Sequence, residues 1–199
     1  TQGVYPAAKA LLSAVYEGAI VPFDTAIKIE ARWFTSVLMN PSSEAMIRSI
    51  FINKEALEKG ANRPDVADQK VKKVGVLGAG MMGAGISLVS ALAGIEVVLI
   101  DLDQEAADKG KSYTTAYMDK GIARKKATEE KKEAVLGLIN ATTDLEALKD
   151  CDLIVEAVFE DVGVKAEMTK KVEAIIGDDA IFATNTSTLP ITELAKASE

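Results

Sequence analysis

No histidine occurs anywhere in the chain, and this absence restricts its chemistry more than any other feature. No imidazole base, no Ser–His or Cys–His pair and no histidine metal site can be assembled from these residues. Cysteine is almost absent as well. The single Cys151 permits neither an intrachain disulfide nor a thiolate metal cluster, and it fits a reducing cytoplasm and a packed, inert thiol. No apolar run reaches the length of a membrane span, and no positively charged start leads an apolar stretch, so neither a span nor a secretory signal is expected. Positive charge is in deficit. With 23 Lys and Arg against 30 Asp and Glu the net charge is -7, which argues against nucleic acid or an anionic membrane surface as the main partner. Local backbone dipoles can still hold an anion. What is abundant is apolar material, 48% of 199 residues, enough for a core in one domain or in one domain plus a smaller piece.

The stretch Val74 to Gly85 organises the rest. A short apolar run reads as a buried strand, and it ends in G-x-G-x-x-G with glycines at Gly78, Gly80 and Gly83. Ile86, Leu88, Val89, Ala91 and Leu92 then follow at helical spacing. Strand, glycine turn and helix in that order make a dinucleotide fingerprint: Gly78 for the turn, Gly80 for close approach of a pyrophosphate, Gly83 for helix packing on the strand. The helix N-terminus offers free N–H groups and partial positive charge to the phosphates. Gly94 stops the helix, Ile95 to Ile100 reads as a second strand, and Asp101 stands at its end. That is the position, roughly 20 residues on, from which a carboxylate takes the ribose hydroxyls. Asp101 and Asp103 together would repel a 2′-phosphate, favouring NAD over NADP.

Residues 1–60 read as helices without strands. The first runs from Pro6 to Glu17, the second is capped by Asp24, and the third carries Met46, Ile47, Ile50, Phe51 and Ile52 up to Gly60. Apolar spacings of three and four predict one buried face on each. Residues 61–71 are polar and contain Pro64, as in a linker. Beyond Asp101, helices are expected over Gln104–Lys120 and Thr128–Gly137, a strand over Leu138–Thr142 and a small helix capped by Asp144. The mixed charges around Arg124 to Glu133 describe an exposed helical face. Strands at Asp152–Val158 and Ala180–Ala183 bracket a helix over Val162–Ile176, and a last helix begins near Pro190. The alternation implies an α/β, doubly wound, mostly parallel sheet of Rossmann type over residues 72–199, preceded by an all-helical segment. Ligands gather at the carboxyl ends of such strands. Gly78 to Gly83, Asp101, Val158 to Glu160 and Asn185 to Ser187 all lie there. On their own, Thr184 to Thr188 read as a polar turn satisfying its own backbone, and Glu160 with Lys165 as an exposed pair at a helix start.

V-G-V-L-G-A-G-M-M-G-A-G-I, the strand ending at Asp101, D-L-I-V-E-A-V-F-E-D-x-x-V-K and F-A-T-N-T-S-T-L-P-I together resemble the 3-hydroxyacyl-CoA dehydrogenase family over about residues 72–199. The preceding helices resemble the segment joining hydratase and dehydrogenase parts in the multifunctional alpha subunit of the fatty-acid oxidation complex. The resemblance implies NAD as cofactor, with Met82 against it, Asp101 on the adenosine ribose, and Val158, Phe159 and Glu160 lining the nicotinamide half. It further implies that Lys165 helps to hold the cofactor, that Asn185 lies close to it, and that Ser187 hydrogen-bonds the 3-oxygen of an acyl-CoA substrate. A thiolase partner is implied for the intact complex.

The sequence also departs from the family. The family takes the hydroxyl proton with a histidine in an H-F-F-N-P stretch after the serine loop, and no such stretch occurs up to Glu199. The expectation is therefore a fragment that binds NAD(H) without turnover, its parent oxidising L-3-hydroxyacyl-CoA to 3-ketoacyl-CoA. Two alternatives stay open: another NAD-dependent hydroxy-acid dehydrogenase, and a nucleotide-sensing module with no chemistry of its own.

Overall fold

The computed structural model describes residues 2–67 and 70–198, which divide into two compact units, Thr1–Ala67 and Asp68–Glu199. The first unit is all helix: α1 (Pro6–Gly18), α2 (Phe23–Leu38), α3 (Pro41–Met46), a π-helical stretch (Ile47–Asn53) and α4 (Lys54–Glu58). The Trp33 indole N–H donates to Glu17 Oε1 at 3.0 Å and ties α2 to α1. The expected helix cap at Asp24 is corrected: the cap position is Pro22, and Asp24 sits in the first turn, where its charge still suits the helix dipole. The third helical run, which carries the apolar residues from Met46 on, starts at Pro41, because Asn40 accepts from the Ser42 amide and Pro41 occupies the first helical position. The expectation of one buried face per helix fails here. Among the described residues of this unit only Ala10 and Ile29 are buried, while Leu12, Tyr16, Phe34 and Phe51 stay exposed. Three or four short helices cannot enclose their own apolar stripes.

The second unit is a five-stranded, fully parallel sheet in the order β3-β2-β1-β4-β5. The strands are β1 (Lys73–Leu77), β2 (Glu96–Ile100), β3 (Ile139–Thr142), β4 (Leu153–Glu156) and β5 (Ile181–Thr184). Between and around them run α5 (Met81–Leu92), α6 (Gln104–Ala123), α7 (Glu129–Gly137), α8 (Val162–Glu173) and α9 (Ile191–Leu194). Alternate strand residues feed two cores. Val74, Val76, Val97 and Leu99 join Ala91, Met118 and Val135 on one face. Leu77, Val98, Ile100 and Ile154 join Leu148, Cys151 and Val172 on the other. A parallel sheet covered on both faces needs such continuous apolar strands, which is why their sequence does not alternate.

Side chains fasten the outer helix to this sheet. The Lys111 ammonium donates to the Ile139 carbonyl at 2.6 Å, and the Gln104 amide to the Ala141 carbonyl at 2.9 Å. The strand order reverses direction between β1 and β4, so a crevice opens beyond their carboxyl ends, where this topology takes its ligands.

Candidate dinucleotide site

β1 leaves the sheet through Gly78, whose φ of +94° is one that other residues rarely adopt. A side chain there would also strike the Ala157 carbonyl oxygen, 2.6 Å from an ideal Cβ, so the turn lies directly against the end of β4. Gly83 permits the second close approach: its Cβ would stand 1.7 Å from the Gly78 carbonyl oxygen. α5 therefore starts hard against the strand it follows. Gly80 is different. Nothing lies within 4 Å of the point where its Cβ would be, so the space above the turn is open.

α6, α7 and α8 are each capped by a side chain, from Asp103, Thr128 and Asp161. α5 has Gly80 at its cap position and so no capping side chain. Its first-turn N–H groups, from Met81 to Gly83, thus face the open space with the positive end of a 12-residue helix behind them. This arrangement fits a pyrophosphate. Asp101, at the end of β2, reaches over the same turn: its Oδ2 accepts from the Ala79 amide and its Oδ1 from the Leu102 amide, each at 2.7 Å. A carboxylate oxygen has more than one lone pair, so a ribose hydroxyl can be added to these bonds. Asp103 turns away, accepting from the Ala106 amide at 2.8 Å as the α6 cap.

A cavity of about 560 Å³ joins these parts, lined among others by Gly78, Gly80, Asp101, Val158, Phe159 and Val164. That size suits a small organic ligand. Leu102, Thr143 and Met168 also line it, and no sequence pattern had marked them. Met82, Asn185 and Ser187 do not line this cavity; they lie exposed nearby in the chain order of the turn and of the β5 loop. The Ser187 hydroxyl has no hydrogen-bond partner among the described residues.

The β4–β5 side is built on a buried ion pair. Lys165, read from sequence as an exposed helix-start residue, is 2% exposed, and that reading is corrected. Its ammonium lies 2.9 Å from Glu156 Oε1 and 3.4 Å from Glu160 Oε2. Burying an ammonium requires counter-charge, and Glu156, at the end of an otherwise apolar strand, supplies it. The loop of Thr184 to Thr188 does not satisfy its own backbone as expected. The Thr184 hydroxyl donates to Glu156 Oε2 at 2.7 Å, and Glu160 Oε1 receives the Thr188 hydroxyl at 3.0 Å and the Ser187 and Thr188 amides at 3.4 and 3.3 Å. The Thr188 hydroxyl, with these amides and the Lys165 charge, holds the Glu160 carboxyl below the usual glutamate range against its desolvation. Cys151 lies in the core and burial pushes its thiol up to about 11, the behaviour of an inert packed cysteine. Among the described residues no cluster of side chains could hold a metal ion, and no helix is long and apolar enough to cross a membrane.

Comparison with known proteins places this geometry. The family model for the 3-hydroxyacyl-CoA dehydrogenase NAD binding domain matches residues 73–199. The fatty acid oxidation complex subunit alpha of Shewanella halifaxensis is 37% identical over 198 residues, 99% of this chain. The chain spans 28% of the length of that relative. Among solved structures, Mycobacterium tuberculosis FadB2 is 38% identical with a TM-score of 0.63, over 66% of this chain and 46% of the other. The 3-hydroxybutyryl-CoA dehydrogenase of Escherichia coli is 33% identical with a TM-score of 0.63, over 66% of this chain and 28% of the other.

Proposed function

The chain belongs to the 3-hydroxyacyl-CoA dehydrogenase family and carries its NAD binding domain; from that premise we propose how its residues share the work. The pyrophosphate of NAD(H) is received by the open α5 N-terminus above Gly80, and the adenosine ribose by Asp101. The nicotinamide half lies toward Val158, Phe159 and Glu160 and the loop carrying Asn185 and Ser187. The observation that carries this reading is the pairing of an uncapped α5 with an open Gly80, beside a carboxylate at the end of β2.

The whole protein, on this reading, oxidises an L-3-hydroxyacyl-CoA to the 3-ketoacyl-CoA in fatty-acid oxidation. The nicotinamide supplies the redox chemistry when bound. Ser187, with a hydroxyl that can both donate and accept, meets the substrate's 3-oxygen as alcohol becomes ketone. A chain without histidine offers no imidazole for the departing proton, so the 199-residue chain by itself binds NAD(H) without turnover. In the intact protein a thiolase subunit is the partner and the cytoplasm the compartment.

Calorimetric titration with NADH and NADPH, on this chain and on Asp101→Ala, tests the assignment. NADH is expected to bind at least about fivefold more tightly than NADPH, since like charges a few ångströms apart repel by about 1 kcal/mol even in water. Asp101→Ala should weaken NADH and narrow the gap. Equal affinities in the unsubstituted chain would remove Asp101 from the ribose.

A further inference from the structure

The β4–β5 side of the crevice converges on one carboxylate. Glu156 closes β4 and is 1% exposed. Its Oε1 accepts from the Val158 amide at 2.7 Å and from Lys165 at 2.9 Å. Its Oε2 accepts from the Thr184 hydroxyl at 2.7 Å, and its carbonyl from the Asn185 amide at 2.7 Å. The side chain thereby fixes the backbone just after β4, the first turn of α8 and the end of β5, while the main-chain carbonyl of the same residue holds the start of the loop after β5. The remaining link is indirect. Lys165 stands between Glu156 and Glu160, and Glu160 in turn gathers the Ser187 and Thr188 amides and the Thr188 hydroxyl.

Two carboxylates share one ammonium, and the shorter contact goes to Glu156. Neutralising Glu156 leaves Lys165 with Glu160 as its only counter-charge. The exposed Glu160 should then be drawn inward, off the amides of Ser187 and Thr188, and the loop should lose its anchor. The adenosine side has no share in this chain of contacts, because Asp101 is held by Ala79 and Leu102.

We propose that Glu156 is a positioning residue for the nicotinamide half of the site. It touches no ligand. It sets the Val158–Glu160 and Asn185–Thr188 segments in the geometry that receives the nicotinamide. The proposal rests on the NAD(H) reading above and adds a residue to which that reading gives no part. A purely structural role would weaken all ligands of the crevice together. A positioning role weakens only those that carry the nicotinamide.

The experiment therefore compares NADH with ADP-ribose, which has the adenosine and pyrophosphate but no nicotinamide, on the chain, on Glu156→Gln and on Thr184→Val. Glu156→Gln should lose about tenfold in NADH affinity, the scale of one hydrogen bond to a charged group. Its ADP-ribose affinity should stay within about twofold. Amide exchange should accelerate at Val158, Ser187 and Thr188 and stay unchanged in β2. Thr184→Val removes the hydroxyl donated to Glu156, and with it the 2.7 Å contact to the Thr186 hydroxyl, while keeping the shape; it should lose about threefold for NADH alone, and Thr186→Val, which removes only the contact within the loop, should lose less. Thr184→Val decides the matter should Glu156→Gln fail to fold. Folded variants with unaltered NADH affinity, or with equal losses for both ligands, overturn the proposal. An unsubstituted chain that binds neither ligand overturns the NAD(H) reading, and the proposal with it.

Discussion

Gly83→Ala adds one methyl group at the tightest point of the fold. An ideal Cβ there stands 1.7 Å from the Gly78 carbonyl oxygen and 3.3 Å from a Val76 methyl. To reach even 3.0 Å, α5 must withdraw from the end of β1 by about 1.3 Å. Overpacking that moves side chains alone costs about 1–3 kcal/mol. Here the helix itself must yield against main chain, so a loss of about 3 kcal/mol or more is expected in urea unfolding. The same withdrawal carries the first-turn amides out of place, and NADH affinity, read by the fluorescence of the bound dihydronicotinamide, should fall by more than about tenfold. Two neighbours serve as controls. Nothing lies within 4 Å of a Cβ at Gly85, so Gly85→Ala should add up to about 1 kcal/mol of helix stability and leave binding alone. Gly80 has an ordinary φ of -64° and equally open surroundings. Gly80→Ala should thus keep stability within about 0.5 kcal/mol while its methyl fills the space assigned to the pyrophosphate and costs about tenfold in NADH affinity. A Gly83→Ala chain as stable as its parent, or a Gly80→Ala chain that binds as well, would refute the reasoning.

Further outcomes follow from the same contacts. Lys165→Met strands the buried Glu156 carboxylate and should destabilise the chain by about 3–5 kcal/mol, with part recovered when Glu156→Gln is added; a urea midpoint unchanged by Lys165→Met would contradict the buried pair. The Glu160 carboxyl is held down chiefly by the Thr188 hydroxyl. A carboxyl that ionises more readily folded than unfolded contributes stability that is complete above its unfolded pKa and lost as pH falls through the folded one. The stability gap between the chain and Thr188→Val should accordingly be present near neutral pH and close in acid, and a gap that ignores pH would count against that contact. Cys151, with its thiol pushed to about 11, should resist alkylation at neutral pH until the chain unfolds. Rapid labelling of the folded chain would show the thiol to be reachable.

The parts of the fold that strict local geometry governs were legible in the residues. A positive φ at Gly78, a helix start pressed against Gly83, and apolar strands buried on both faces admit few other sequences. The place of Asp101 at the end of β2 was legible because the apolar run from Ile95 to Ile100 ends there, roughly 20 residues beyond the glycine turn. What local pattern could not reveal was pairing across the sheet. V-G-V-K-A-E reads as an exposed helix start, and only the approach of α8 to β4 buries Lys165. Glu156 held the missed signal: a carboxylate inside L-I-V-E-A must find a cation once the strand is covered. Nor did helical periodicity show that Leu12, Tyr16 and Phe34 would stay exposed in the first unit, since spacing marks an apolar face without saying what covers it.

The most direct test is an amide NMR titration of the chain with NADH. The amides of Gly80, Met81, Met82 and Gly83 should show the largest shifts, with Ala79 and Asp101 moving beside them. Saturable binding that leaves those amides undisturbed, and shifts residues elsewhere, would contradict a pyrophosphate seated on the first turn of α5.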